Sequence, residues 1–273
     1  MSEPDRLVDV GGRRLRVRSL GEGSPTVVLE AGMGETLETW RLVQPALAGV
    51  TRTVSYDRAG LGGSDPVGRP RAFDEMSDDL RALLGALGAP GPYVLVGHSL
   101  GGLIVRVYAA RYPAEVGGVV LVASPHHDYM RRALPILGPP IAGEGAAVTE
   151  ARTFFETILA GREPPAVERE GERVLMAAGY RQVPGDGSLG GLPLRVVLAG
   201  KPVELGPDFP PATAAAIREM LLGSGRELAD LSTRGDYAVA EASGHMVQLD
   251  APDAVIAAVQ AVVGLSQELE PLE

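Results

Sequence analysis

The stretch YVLVGHSLGGLIVRVY, Tyr93–Tyr108, decides the fold. Its first four residues are apolar without alternation, the pattern of a strand buried on both faces of a sheet. Beyond Gly102, Leu103, Val107 and Tyr108 recur at helical spacing. Between strand and helix lies GHSLG, Gly97–Gly101, so Ser99 falls on a sharp strand-to-helix turn. Such a turn holds its central residue in a strained conformation with the hydroxyl projecting, and glycines two residues to either side admit neighbouring backbone. The new helix aims its free N–H groups at any negative charge that develops there. In a chain with 36 Gly the pattern alone says little. Its place between a buried strand and a helix gives it weight, and no other serine has glycine both two residues before and two residues after it.

Outward from this turn, the same kind of apolar run recurs as VVLE (Val27–Glu30), TVSYD (Thr53–Asp57), VVLVA (Val119–Ala123), RVVLA (Arg195–Ala199) and YAVAEA (Tyr237–Ala242). Near the N-terminus, LVDV and RLRVR flank Gly11 and Gly12, which predicts a hairpin with a two-residue turn. Met76, Leu80, Leu83, Leu84 and Leu87 lie at helical spacing between two of the runs. The expected fold class is α/β: a doubly wound, mostly parallel sheet with an antiparallel N-terminal hairpin, whose sites form at the carboxyl ends of its strands. From Asp128 to Leu192 the strand rhythm stops. This region is expected to be a helical lid insertion of residues 128–192, with helices near Val148–Ala160 and Pro165–Tyr180, set into a core of residues 1–127 and 193–273.

Four landmarks make the chain resemble the serine-nucleophile, esterase- and lipase-like branch of the α/β-hydrolase superfamily. EAGMG, Glu30–Gly34, resembles that family's oxyanion loop, with Ala31 where histidine is common. DRAGLGGSDP, Asp57–Pro66, resembles its Asp-x-x-Gly-x-Gly-x-Ser turn, and GHSLGG resembles its nucleophile elbow. SGHMVQLDAPD, Ser243–Asp253, resembles its C-terminal histidine loop and final helix. Serine at the elbow implies acyl transfer, where aspartate would imply the alkyl-enzyme ester of a dehalogenase or epoxide hydrolase.

A serine nucleophile needs a neutral imidazole to take its proton and return one to the leaving group. The resemblance assigns that role to His245, 146 residues after Ser99 and behind the last apolar run. His98 reads as a packing or hydrogen-bonding residue, and His126 and His127 as a loop pair beyond a strand end. The oxyanion donors implied are the backbone N–H groups of Met33 and Leu100. The third triad member departs from the family pattern. Glu204, in GKPVE, is the first candidate although out of step by one or two residues; Asp128 is the second, Asp208 the third, and Glu30 sits at a neighbouring strand end.

Composition narrows the partners. The net charge of −10, with no basic stripe, argues against nucleic acid. No Cys is present, and the four histidines show none of the fixed metal-binding spacings, so neither metal nor cofactor is expected. The opening MSEPDRLVDV is polar, and no run approaches the roughly 20 apolar residues of a membrane span, so a cytoplasmic protein is expected. The expected substrate is a small or medium-sized apolar ester, lactone or thioester, with Leu134, Ile136, Leu137, Phe154 and Phe155 of the insertion as candidates for an acyl pocket or for the lid's own core. The alternative is a lyase or cyclase in which Ser99 and His245 transfer protons without an acyl-enzyme.

Overall fold

Ten strands and nine helices are found among residues 5–186, 188–203 and 205–268, the part of the chain that the computed structural model describes. In chain order the strands are β1 (Arg6–Asp9), β2 (Arg14–Leu20), β3 (Thr26–Glu30), β4 (Thr53–Tyr56), β5 (Tyr93–His98), β6 (Val116–Val122), β7 (Val167–Arg169), β8 (Glu172–Val174), β9 (Leu194–Ala199) and β10 (Gly235–Ala240). The helices are α1 (Gln44–Leu47), α2 (Phe73–Ala86), α3 (Leu100–Arg111), α4 (Tyr129–Leu137), α5 (Ala146–Leu159), α6 (Met176–Gln182), α7 (Pro211–Ala229), α8 (Val247–Asp250) and α9 (Pro252–Gln267). Eight strands form one sheet in the order β1-β2-β4-β3-β5-β6-β9-β10. β2 pairs antiparallel with β1 and β4, and all the remaining pairs are parallel.

The expected fold class is what the chain adopts, and each apolar run lies on a strand. Gly11 and Gly12 turn the N-terminal hairpin with φ of +94° and +96°, and Val10 N–H donates to Arg13 O across the turn at 2.9 Å. β3, β4, β5 and β6 are buried at every residue, which is why they read as continuous rather than alternating apolar runs. Their side chains still divide by the pleat. Leu95, Val119 and Leu121 join Leu80, Leu83, Val105 and Leu228 on the face covered by α2, α3 and α7. Val94, Val96, Val120 and Val122 join Leu47, Val247, Val255 and Val259 on the face covered by α1, α8 and α9. The strand β10 at the sheet edge alternates between more and less exposed positions, since only part of it is covered.

Residues 128–192 differ from expectation in one element. α5 lies where the first helix was expected, but Val167–Val174 is an antiparallel hairpin of β7 and β8, with only the short α6 following. Glu170 and Gly171 take φ of +53° and +90° and reverse the chain in two residues, so the apolar positions Val167 and Val174 face each other across the hairpin instead of along a helix. No helix among the described residues is long and apolar enough to cross a membrane.

Candidate active site

Ser99 sits between β5 and α3 with φ +51° and ψ −118°, a strained conformation for a residue with a β-carbon. Its N–H donates to Val122 O at 2.9 Å, which anchors the turn to β6. The glycine at 101 lets α3 start hard against the end of β3, since a β-carbon there would lie 2.4 Å from Glu30 O and 2.6 Å from Ala31 O. The loop that follows β3 is thereby held beside the nucleophile. Met33 and Leu100 share one apolar cluster with Phe73 and Met76, and neither backbone N–H donates to another group among the described residues.

His245 lies in the loop between β10 and α8. It lines, with Ser99, one cavity of about 250 Å³. Burial among its neighbours, and after it the charge of His98, lower its pKa to about 4. The residue as a whole is exposed, so the direction is what bears on chemistry: the imidazole is neutral and able to accept a proton at neutral pH.

A carboxylate that the sequence did not single out reaches this loop indirectly. Glu35 Oε2 lies 3.0 Å from His98 Nδ1, and His98 Nε2 lies 2.9 Å from His245 O. His98 is fully buried, and both its neighbours accept, so both contacts are hydrogen bonds when the ring carries a proton on each nitrogen. Glu35 Oε2 also accepts from Gly32 N–H at 3.2 Å. Burial pushes the Glu35 carboxyl up, but the hydrogen bond and charge of His98 outweigh it and hold the group below the usual range. One side chain therefore joins the loop after β3, the residue before the nucleophile and the loop of the candidate base. His98 is a hydrogen-bonding residue, as its sequence position suggests.

The candidate acids separate. Glu204 lies outside the described residues. The flanking Lys201 and Val203 line the same cavity as His245, and Lys201 N–H donates to Ser243 O at 2.9 Å, two residues before it. Asp128 instead faces His127 Nε2 at 3.6 Å, Arg131 at 3.8 Å and Arg132 at 4.0 Å. Asp208 accepts from Ala147 N–H at the start of α5 at 3.2 Å, and Glu30 is taken up by Tyr56 and Arg58. Among the described residues, no carboxylate is within hydrogen-bond distance of the His245 ring.

From residues 128–192, two tyrosines and no aliphatic side chain line the cavity. Tyr129 and Tyr180 line it together with Leu198 and Leu221. The five residues expected as an acyl pocket do not; Phe155 packs behind Tyr129, with ring centroids 6.0 Å apart. Pattern reading pointed to Leu134, Ile136, Leu137, Phe154 and Phe155, whereas Tyr129 and Tyr180 are the residues of this region that line the cavity. Ser124, buried at the cavity wall, has no hydrogen-bond partner for its Oγ among the described residues.

Two of the four histidines and a carboxylate cluster at one place, without any of the fixed metal-binding spacings. Ligand atoms of His126, His127 and Asp128 lie within 4.8 Å of one another. The surroundings do not fit a cation. Burial first, and then the charges of His127, Arg132 and Arg106, lower the His126 pKa to about 4, and His126 Nδ1 accepts from Asp128 N–H at 3.2 Å. Arg132 neutralises Glu227, the nearby carboxylate, and a bound metal ion would meet two guanidinium groups.

An eight-stranded α/β sheet with a strained serine at the end of its fifth strand and a histidine after its last defines a hydrolase-type scaffold, and comparison agrees. Residues 25–138 match the family model described as alpha/beta hydrolase fold. The chain has the alpha/beta hydrolase fold. It is similar to the probable transporter efuK of Hormonema carpetanum, with 37% identity over 142 residues, which is 49% of this chain and 20% of that protein. It is also similar to the 2-(acetamidomethylene)succinate hydrolase of Mesorhizobium japonicum, with 29% identity over 81% of this chain and 77% of that protein. A thermophilic esterase from Thermogutta terrifontis superposes with a TM-score of 0.61 and 18% identity, over 97% of this chain and 99% of that one. The first curated relatives matched are much longer, the chain spanning 20% and 15% of the first two.

Proposed function

We propose that the protein is a serine hydrolase that cleaves a carboxylic ester, lactone or thioester through an acyl-enzyme on Ser99. The observation that carries this reading is the strained Ser99 at the sheet's carboxyl end, opening into a cavity that His245 also lines. In this reading His245 takes the Ser99 proton as the hydroxyl attacks the acyl carbon. The resulting oxyanion is met by the N–H groups of Met33 and Leu100, whose lack of other acceptors supports the role. Collapse expels the alcohol or thiol with the proton from His245, and water, deprotonated by the same ring, releases the acid. Glu204, on the segment after β9 that is tied to the His245 loop, is the acid that orients the ring. The largely apolar cavity, with Leu198, Leu221 and Pro125 in its wall, suits a small apolar acyl group, and residues 128–192 act as its lid.

Turnover of p-nitrophenyl esters of increasing acyl length, together with fluorophosphonate labelling, tests this. A burst and covalent labelling in the wild type, both lost in folded Ser99→Ala, are expected. Hydrolysis that persists in Ser99→Ala, or a wild type that neither turns over nor labels, overturns it.

A further inference from the structure

The loop after β3 is held from beneath by a buried ion cluster that reaches into the insertion. Arg58, in the turn after β4, bonds Glu172 through Nε to Oε1 at 2.5 Å and through Nη2 to Oε2 at 2.9 Å. Its Nη1 reaches Glu30 Oε1 and Ala31 O, both at 2.6 Å, and Nη2 reaches Gly32 O at 2.6 Å. Glu172 Oε2 in turn accepts from Gly34 N–H at 2.9 Å. Three consecutive peptide groups around Met33 are thus pinned by one guanidinium and one carboxylate. The Arg58, Glu30 and Glu172 side chains are 4%, 1% and 2% exposed, so water does not compete for these bonds.

The cluster holds two carboxylates and one guanidinium. Glu30 accepts from Arg58 through Oε1 and from the Tyr56 hydroxyl through Oε2, so Arg58 is shared between Glu30 and Glu172, and only Glu172 reaches on to the loop. The hairpin bearing Glu172 has other attachments. Arg71 N–H donates to Arg173 O, and Leu175 N–H to Arg71 O, each at 2.9 Å. β7 and β8 are thus also held through their backbone, while the two oxygens of the Glu172 side chain are directed at Arg58 and at the loop.

We propose that Glu172, acting through Arg58 and Gly34, is a positioning residue that sets the Met33 N–H of the oxyanion loop against Ser99, so that the insertion takes part in building the catalytic centre. The proposal rests on the reading of Met33 as an oxyanion donor. Displacement of such a group by about 1 Å costs on the order of 100-fold in rate while leaving substrate binding by the cavity walls intact.

Glu172→Gln, compared with the wild type, tests the role. In the folded variant kcat for a p-nitrophenyl ester is expected to fall about 10- to 100-fold with KM within about two-fold, and binding of a boronic acid that forms a tetrahedral adduct on Ser99 to weaken by the same factor. Amide hydrogen exchange of residues 31–36 is expected to accelerate at least about ten-fold while exchange in β5 and α3 is unchanged. Unchanged kcat with unchanged loop exchange overturns the proposal, as does a rise in KM alone. If Glu172→Gln folds too poorly to assay, Glu172→Asp, which keeps the charge on Arg58 but draws the carboxylate one methylene back from Gly34, carries the same expectation, and wild-type kcat and exchange in it overturn the proposal. A wild type without Ser99-dependent hydrolysis refutes the proposed function instead, and hydrogen exchange then decides the anchoring of the loop by itself.

Discussion

Gly101→Ala probes the close approach that brings the elbow and the loop after β3 together. The new β-carbon would lie 2.4 Å from Glu30 O, 2.6 Å from Ala31 O and 2.9 Å from the Glu30 carbonyl carbon, all backbone atoms that no rotamer change can move. Ordinary contact begins at 3.4 Å, so β3 and α3 must separate by about 1 Å, and overpacking of this kind costs about 1–3 kcal/mol. Alanine regains about 1 kcal/mol of helix propensity, leaving a net loss of about 1 kcal/mol. Turnover suffers more than stability. The separation draws the Met33 N–H away from Ser99 and Leu100, and a displacement of about 1 Å lowers ester turnover about 100-fold. The control is Gly85→Ala in α2, where a β-carbon meets nothing within 4 Å. It is expected to stabilise by about 0.5–1 kcal/mol and to leave turnover unchanged. Urea unfolding and p-nitrophenyl ester kinetics on both variants decide the matter. If Gly101→Ala behaves like Gly85→Ala in both assays, the end of β3 yields freely, and the close approach does not position the loop.

Stability depends on acid in a direction set by two rings. His126 and His245 both have pKa values of about 4 against the ordinary 6.5, because burial disfavours their charged forms. Between these values the unfolded chain binds more protons than the folded one. Their contribution is thus fully present above about pH 6.5 and lost as the pH falls toward about 4. Thermal unfolding across that range should show the midpoint falling with acid, and a midpoint flat from pH 7 to 4 contradicts the assignment. The same neutral His245 predicts ester turnover that holds its neutral-pH rate to about pH 5, which a pH–rate profile checks. Glu204→Gln should slow turnover by about 100- to 10,000-fold through loss of the ring's orientation, whereas Asp128→Asn, whose carboxylate faces His127 and two arginines, should leave it near wild type. Kinetics showing the reverse order would reassign the acid.

Local pattern was enough for the frame of this protein. Continuous apolar runs named the buried strands, because a strand covered on both faces has no polar side to show. The elbow could be read because it is a local object: a strand, two glycines and a helix around one serine. The histidine loop was legible for the same reason. The hairpin of the insertion was not, since Glu170 and Gly171 are a weaker turn signal than Asn-Gly and the flanking residues fit a helical period equally well. What only the tertiary structure decided are contacts between distant residues. Glu35 meets His98 across 63 residues, His98 meets His245 across 147, and Arg58 meets Glu172 across 114. Periodicity reports which side of an element is buried but not which residue of another element it meets, and these buried polar groups acquire their partners, and their charge states, only when the sheet order brings their strand ends together.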